Sequence, residues 1–164
     1  EGEAAGLLRD ELTAAGFLDL LIKHQQYVPA IHFLAHALPK REAVAWACQC
    51  VRNAGLEPLD DKSKAALEAA DQWVLGPTEP NRRAAQAAAE AVGYGTPAGC
   101  AALAAFLSGG SLGPAHVPEI PPAPTLTAQA AAGGILLAAV LKEPEKAPDK
   151  QRDFLRRGIE AAGG

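Results

Sequence analysis

At 164 residues and 16.9 kDa the chain has the length of one domain, able to bury roughly two-thirds of the surface its unfolded form exposes. Apolar residues make up 49% of it but aromatics only 5%, so close helix packing is expected in place of a core of large rings. A formal net charge of −4 with a pI near 5.6 argues against a nucleic-acid binder, and three cysteines without disulfide-framework spacing point to reduced thiols in a cytoplasm.

Alanine dominates, while the β-branched and aromatic residues that favour strands are sparse. The expected fold class is all-α: a compact array of about seven or eight short antiparallel helices in a single domain over 1–164, crossed by a Pro-rich strap. The opening "EGEAAG" has neither a basic n-region nor an apolar signal core. "AAGLLRDELTAAG" then places Leu7, Leu8, Leu12 and Ala15 on one helical face, with Gly16 ending or kinking it. "FLDLLIKHQQ" carries Phe17, Leu18, Leu21 and Ile22, and Pro29 separates it from "AIHFLAHAL" because proline disfavours helix in the residue before it.

Pro39 fits the first position of "PKREAVAWACQCVRNAG", which closes at Asn53-Ala54-Gly55. "PLDDKSKAALEAADQWVLG" starts at Asp60 or Asp61 and stops at Gly76-Pro77, with Ala66, Leu67, Ala70, Trp73 and Val74 inward. The next helix, "PTEPNRRAAQAAAEAVG", has Thr78 as cap and Pro80 in its first turn. In "GYGTPAG" Thr96 caps and Pro97 begins "AGCAALAAFLS", which ends at Gly109-Gly110. Short connections make these three helices antiparallel neighbours.

Residues 109–124 contain five prolines and cannot continue a helix. They read as an extended strap with Leu112, Val117 and Ile120 as apolar anchors. Thr125 or Thr127 caps the following apolar run over 128–141, which is about 14 residues long, short of the ~20 a membrane span needs. "KEPEKAPDK" is a polar loop, and "DKQRDFLRRGIEAAGG" is a last amphipathic helix around Phe154, Leu155 and Ile159.

His32 and His36 stand at i and i+4, the spacing for two metal ligands on one helix face, but the Glu of a zinc-protease motif is missing between them. Cys48 and Cys50, at i and i+2, point about 200° apart and do not serve one ion. Cys100 lies in the first turn of its helix, where the macrodipole favours a thiolate, yet alanines surround it and no partner His is fixed. Asp60-Asp61 is accounted for by capping. "GYGTPAG" follows a helix and no Lys succeeds it, so it is a turn between helices and not a phosphate loop. No catalytic, cofactor or metal site is therefore assigned. Aromatic and Arg residues dominate interface energetics, which makes Arg82, Arg83, Tyr94 and Leu112 the candidate protein-binding residues. The expected place of Arg82 and Arg83 is beside the "GYGTPAG" turn.

The ordered set "IHFLAHALPKREAVAWACQC", "ADQWVLGPTEPNRRAAQAAAEAVGYGTPAGCAALAAFLSGGSLGP" and "PPAPTLTAQAAAGGILLAA" resembles an uncharacterised family of small bacterial helical proteins over residues 30 to 140. The resemblance implies an accessory, adaptor or chaperone-like partner of a type VI, contractile secretion system. "AVAWACQCV" with the Ala-rich hairpin after it is also similar to a bacterial immunity-protein domain, which implies toxin neutralisation. The expectation is thus a non-enzymatic adaptor whose partner is another protein, namely a secretion component, an effector or a toxin. A hydrolase using His32, His36 and Cys100 is the enzymatic alternative.

Overall fold

A computed structural model describes residues 13–163, and in them the chain forms eight α-helices and no strand. These are α1 (Ala14–Lys23), α2 (Tyr27–Ala37), α3 (Lys40–Arg52), α4 (Asp61–Leu75), α5 (Glu79–Val92), α6 (Pro97–Phe106), α7 (Leu126–Val140) and α8 (Ala147–Ala161), with a 3-10 turn at Pro144–Lys146. The helical face expected of Leu7, Leu8 and Leu12 lies outside the described residues.

Gly16 does not stop α1. The Gly16 N–H donates to the Thr13 hydroxyl at 3.1 Å, so this glycine sits in the first turn of a capped helix. The break before α2 comes at His24–Gln26 and not at Pro29. Gln25 takes the left-handed conformation, with φ of 59°, and the N–H groups of Gln25 and Gln26 return to the carbonyls of Ile22 and Leu21. Pro29 then falls in the first turn of α2, where a missing N–H costs nothing. Pro39 is one residue outside α3, and "KEPEKAPDK" is part 3-10 turn and part α8.

The buried core draws side chains from all eight helices. Alanines pack α5, α6 and α7: Ala85, Ala89, Ala101, Ala104, Ala131 and Ala138 have no exposed surface. Small side chains let the backbones approach closely. At Gly134 an added Cβ would lie 2.9 Å from Cys100 Cβ and 3.1 Å from the Pro97 carbonyl. Thr127, not a cap for its own helix, donates its hydroxyl across to the Ala104 carbonyl at 2.9 Å. Residue 127 beside 104 and 134 beside 100 make α6 and α7 antiparallel.

Large side chains gather instead where α3 meets α8. The Trp46 indole N–H donates to the Phe154 carbonyl at 2.7 Å, and Gly158 gives the ring room, since a Cβ there would come within 2.6 Å of it. α3 and α6 are therefore enclosed by neighbours, and α6 is buried nearly all round. Among the described residues no single helix is long and apolar enough to cross a membrane.

Candidate functional site

An α-helix leaves its last four carbonyls without intrahelical partners, and at a buried end each must find a donor elsewhere. α6 ends inside the molecule because Ser108-Gly109-Gly110 cannot continue it; the Leu107 and Ser108 N–H groups take its Leu103 and Ala105 carbonyls, and distant side chains take the others. Ala104 receives Thr127, Phe106 receives Arg82 Nη1 at 2.8 Å, and the Ser108 carbonyl just beyond receives Lys40 Nζ at 2.9 Å. In the same way Arg41 reaches the Val74 and Leu75 carbonyls that close α4.

Arg82 closes the first turn of α5 and Arg83 opens the second. Thr78 caps the first turn by accepting from the Asn81 N–H at 3.3 Å, and Asn81 itself donates to the Gly76 carbonyl at 2.7 Å, fixing how the chain enters the helix. Arg82 is 3% exposed, and its guanidinium also donates to both carboxylate oxygens of Glu79 at 2.7 Å and to the Ser111 carbonyl at 3.1 Å. It lies 4.6 Å from the centroid of the Phe106 ring. Arg83 bonds Glu79 at 3.0 Å and the Gly113 carbonyl at 2.7 Å. The Arg82 hydrogen bonds and, after them, those of Arg83 pull the Glu79 carboxyl down to about 2. Gly110 makes room for this cluster: its φ is +64°, and a Cβ there would sit 2.7 Å from the Arg82 guanidinium carbon.

Beyond Gly110 the strap folds into a closed loop over residues 111–120. The Ser111 hydroxyl accepts from the N–H groups of Gly113 (3.1 Å) and Ile120 (2.8 Å), and the Leu112 N–H donates to the Ile120 carbonyl at 2.7 Å. A loop whose ends meet in this way is a compact surface unit of the kind that recurs at functional sites. Its apolar side chains do not anchor it: Leu112, Val117 and Ile120 are 37%, 39% and 55% exposed. Anchoring is polar, through the two arginines, and the apolar residues are displayed. A cleft of about 380 Å³ opens between Glu79, Arg83 and the loop's Pro114, Val117 and Glu119.

Of the sequence candidates, the structure brings Arg82, Arg83 and Leu112 together and leaves Tyr94 apart. Arg82 and Arg83 do not adjoin the "GYGTPAG" turn. They stand at the other end of α5, about 16 Å away at 1.5 Å per residue, beside Gly109-Gly110. Tyr94 is exposed, with partial burial and the Glu90 carboxylate raising its phenol above the ordinary value. The "GYGTPAG" turn is held by itself: the Thr96 hydroxyl accepts from the Gly99 N–H at 3.1 Å and donates to the Gly93 carbonyl at 2.8 Å. Sequence reasoning missed Lys40 and Arg41, whose partners are backbone carbonyls in other segments, and Ser111, whose hydroxyl takes amides of its own loop; it read Thr127 as a cap, where the structure bonds it to Ala104.

His32 and His36 are both exposed, and a His36 ring nitrogen faces the His32 carbonyl at 2.8 Å. No group of three or more metal-ligating residues occurs among the described residues. Burial raises the Cys100 thiol, the opposite of what a helix N-terminus alone predicts, and its sulfur donates to the Tyr94 carbonyl. Cys48 and Cys50 are buried within α3. Burial and the nearby Asp71 push Cys48 up to about 12, and burial raises Cys50.

A family model matches residues 17–162, a span that includes the arginine cluster, the loop and every described helix except the start of α1. The chain belongs to DUF6931, a family of unknown function. No curated protein and no solved structure matches it. The site of this DUF6931 chain is therefore characterised by its own chemistry: a buried guanidinium, its carboxylate and a displayed apolar loop.

Proposed function

We propose that this DUF6931 protein is a non-enzymatic protein-binding module whose contact surface is the loop 111–120. One observation carries the reading. Leu112, Val117 and Ile120 face solvent on a loop fixed at its base by an arginine that is 3% exposed. Val117 and Ile120 close over Gly113 within the loop, and holding the exposed parts of all three side chains in one conformation lowers the ordering cost of association. Arg82 and Arg83 act in this reading as positioning residues, and the displayed side chains make the contact.

The resemblance to secretion-associated helical proteins directs the choice of partner: a component or effector of a contractile secretion machine comes first, and a toxin second. Three free thiols, two of them buried, fit a reducing compartment and a cytoplasmic protein. The test is affinity capture from the native host with secretion genes expressed. The wild type should retain a protein partner that Leu112→Asp with Ile120→Asp loses while its thermal melt is unchanged. Tyr94→Ala, at the far end of α5, should retain it. Equal capture by the loop variant and the wild type would exclude the loop as the contact.

A further inference from the structure

Proline locks φ near −65° and biases the residue before it to extended backbone, so a run with prolines at short intervals favours the polyproline II helix, with three residues per turn. Residues 118–123 carry Pro118, Pro121 and Pro122, and they enter no helix, strand or turn. Pro124 follows at the start of the turn into α7. In a polyproline II helix an interval of three would place Pro118, Pro121 and Pro124 on one edge, and all three are exposed, whereas Pro122 is half-buried. The carbonyls of Pro118, Glu119, Pro121 and Pro122 accept no hydrogen bond from the described residues.

Both ends of this segment are fastened. Near its start, at its third residue, Ile120 is tied through its N–H to the Ser111 hydroxyl and through its carbonyl to Leu112, and Ser111 is in turn held by Arg82. At its end, Thr127 is bonded to α6. An extended segment with a proline edge, free carbonyls and little freedom left to lose has the properties of a polyproline II ligand.

We infer that residues 118–124 are a preorganised polyproline II ligand for a partner groove lined by aromatic side chains. This rests on the protein-binding reading above and specifies its partner. The rings stack on Pro118, Pro121 and Pro124, and a Trp indole N–H or Tyr hydroxyl in the groove donates to the free carbonyls. Glu119 is exposed and is the one Asp, Glu, Lys or Arg between 109 and 125. The rim of the groove therefore carries a Lys or Arg.

The experiment uses the full chain in affinity capture from the native host. A photoreactive residue, Ala123→p-benzoylphenylalanine, attaches the partner so that the cross-linked peptide can be sequenced. Expected are a cross-link beside clustered Trp or Tyr, and a loss of capture of about tenfold both in the triple variant Pro118→Ala/Pro121→Ala/Pro124→Ala and in Glu119→Lys. Glu119→Lys touches no hydrogen bond of the fold, so it remains informative if the triple variant melts early. Capture lost on Leu112→Asp but kept in both the triple variant and Glu119→Lys would overturn this inference and leave the loop reading standing. A cross-link to a surface without aromatic residues would overturn it as well. If the wild type captured no partner, both would fall.

Discussion

Two glycine turns flank α6, and they are held by opposite means. Before the helix, Gly93 to Gly99 is fastened within seven residues, chiefly by the Thr96 hydroxyl, and Gly99 leaves space for the Gly93 carbonyl that a Cβ would occupy. After it, the stretch from Phe106 to Gly113 is fastened mainly by groups from elsewhere: Lys40, Arg82 and Arg83 reach carbonyls that are 68, 24, 29 and 30 residues distant. The first turn is a connector that any pair of helices could share. The second depends on the tertiary fold, and it carries three displayed aliphatic side chains where the first carries the single ring of Tyr94. Glycine content alone does not separate a connector from a presentation site; the origin of the hydrogen bonds does.

The largest effect that would test this contrast is at Arg82. Arg82→Ala removes a buried cation and leaves the Phe106 carbonyl without its donor, so urea unfolding should register a loss of about 3 kcal/mol, together with faster proteolysis of the strap. A loss below about 1 kcal/mol would mean that the loop is held by its own turns. Thr96→Ala should cost about 1 kcal/mol through a lost cap and should leave the strap's proteolysis rate and partner capture as they are. A change in either would join the two turns into one unit.

The smallest effect depends on pH. Glu79→Gln should cost about 1 kcal/mol at pH 7, a modest figure because the Glu79 side chain is 55% exposed and screened by solvent. The folded-state value, about 2, lies below the ordinary 4.5, so the ionised carboxylate stabilises the fold above pH 4.5 and that contribution fades as the pH falls towards 2. Wild type and variant, compared by urea unfolding across that window, should converge on acidification. A constant gap would assign the effect to hydrogen bonding by the side chain in either protonation state.

Features fixed by neighbouring residues were legible in the sequence. Thr78 and Thr96 cap where a threonine ahead of a proline-containing first turn predicts, and the gap after Asn53 closes at Gly55 with φ of +75°. The break at Gln25 was not legible, because a glutamine there adopts the conformation that the eye assigns to glycine. Nor was the anchoring of the strap. Leu112, Val117 and Ile120 look like anchors by hydropathy, but α6 and its neighbours are so closely filled by alanine that the surface beneath the strap offers carbonyls in place of an apolar trough. Arg82 carried a signal that could have been read: with Glu79 three residues earlier and a helix ending in Gly-Gly downstream, it pairs a buried-arginine geometry with orphaned carbonyls.

Cys48 and Cys50 stand two residues apart on α3 and look out on opposite flanks of that helix, the first towards Asp71 of α4 and the second towards Arg157 and Asp153 of α8. Neither thiol can meet a reagent until its own flank parts. The molecule thus carries two internal clocks: alkylation of Cys48 times the opening of the α4 side, and alkylation of Cys50 times the departure of the C-terminal helix.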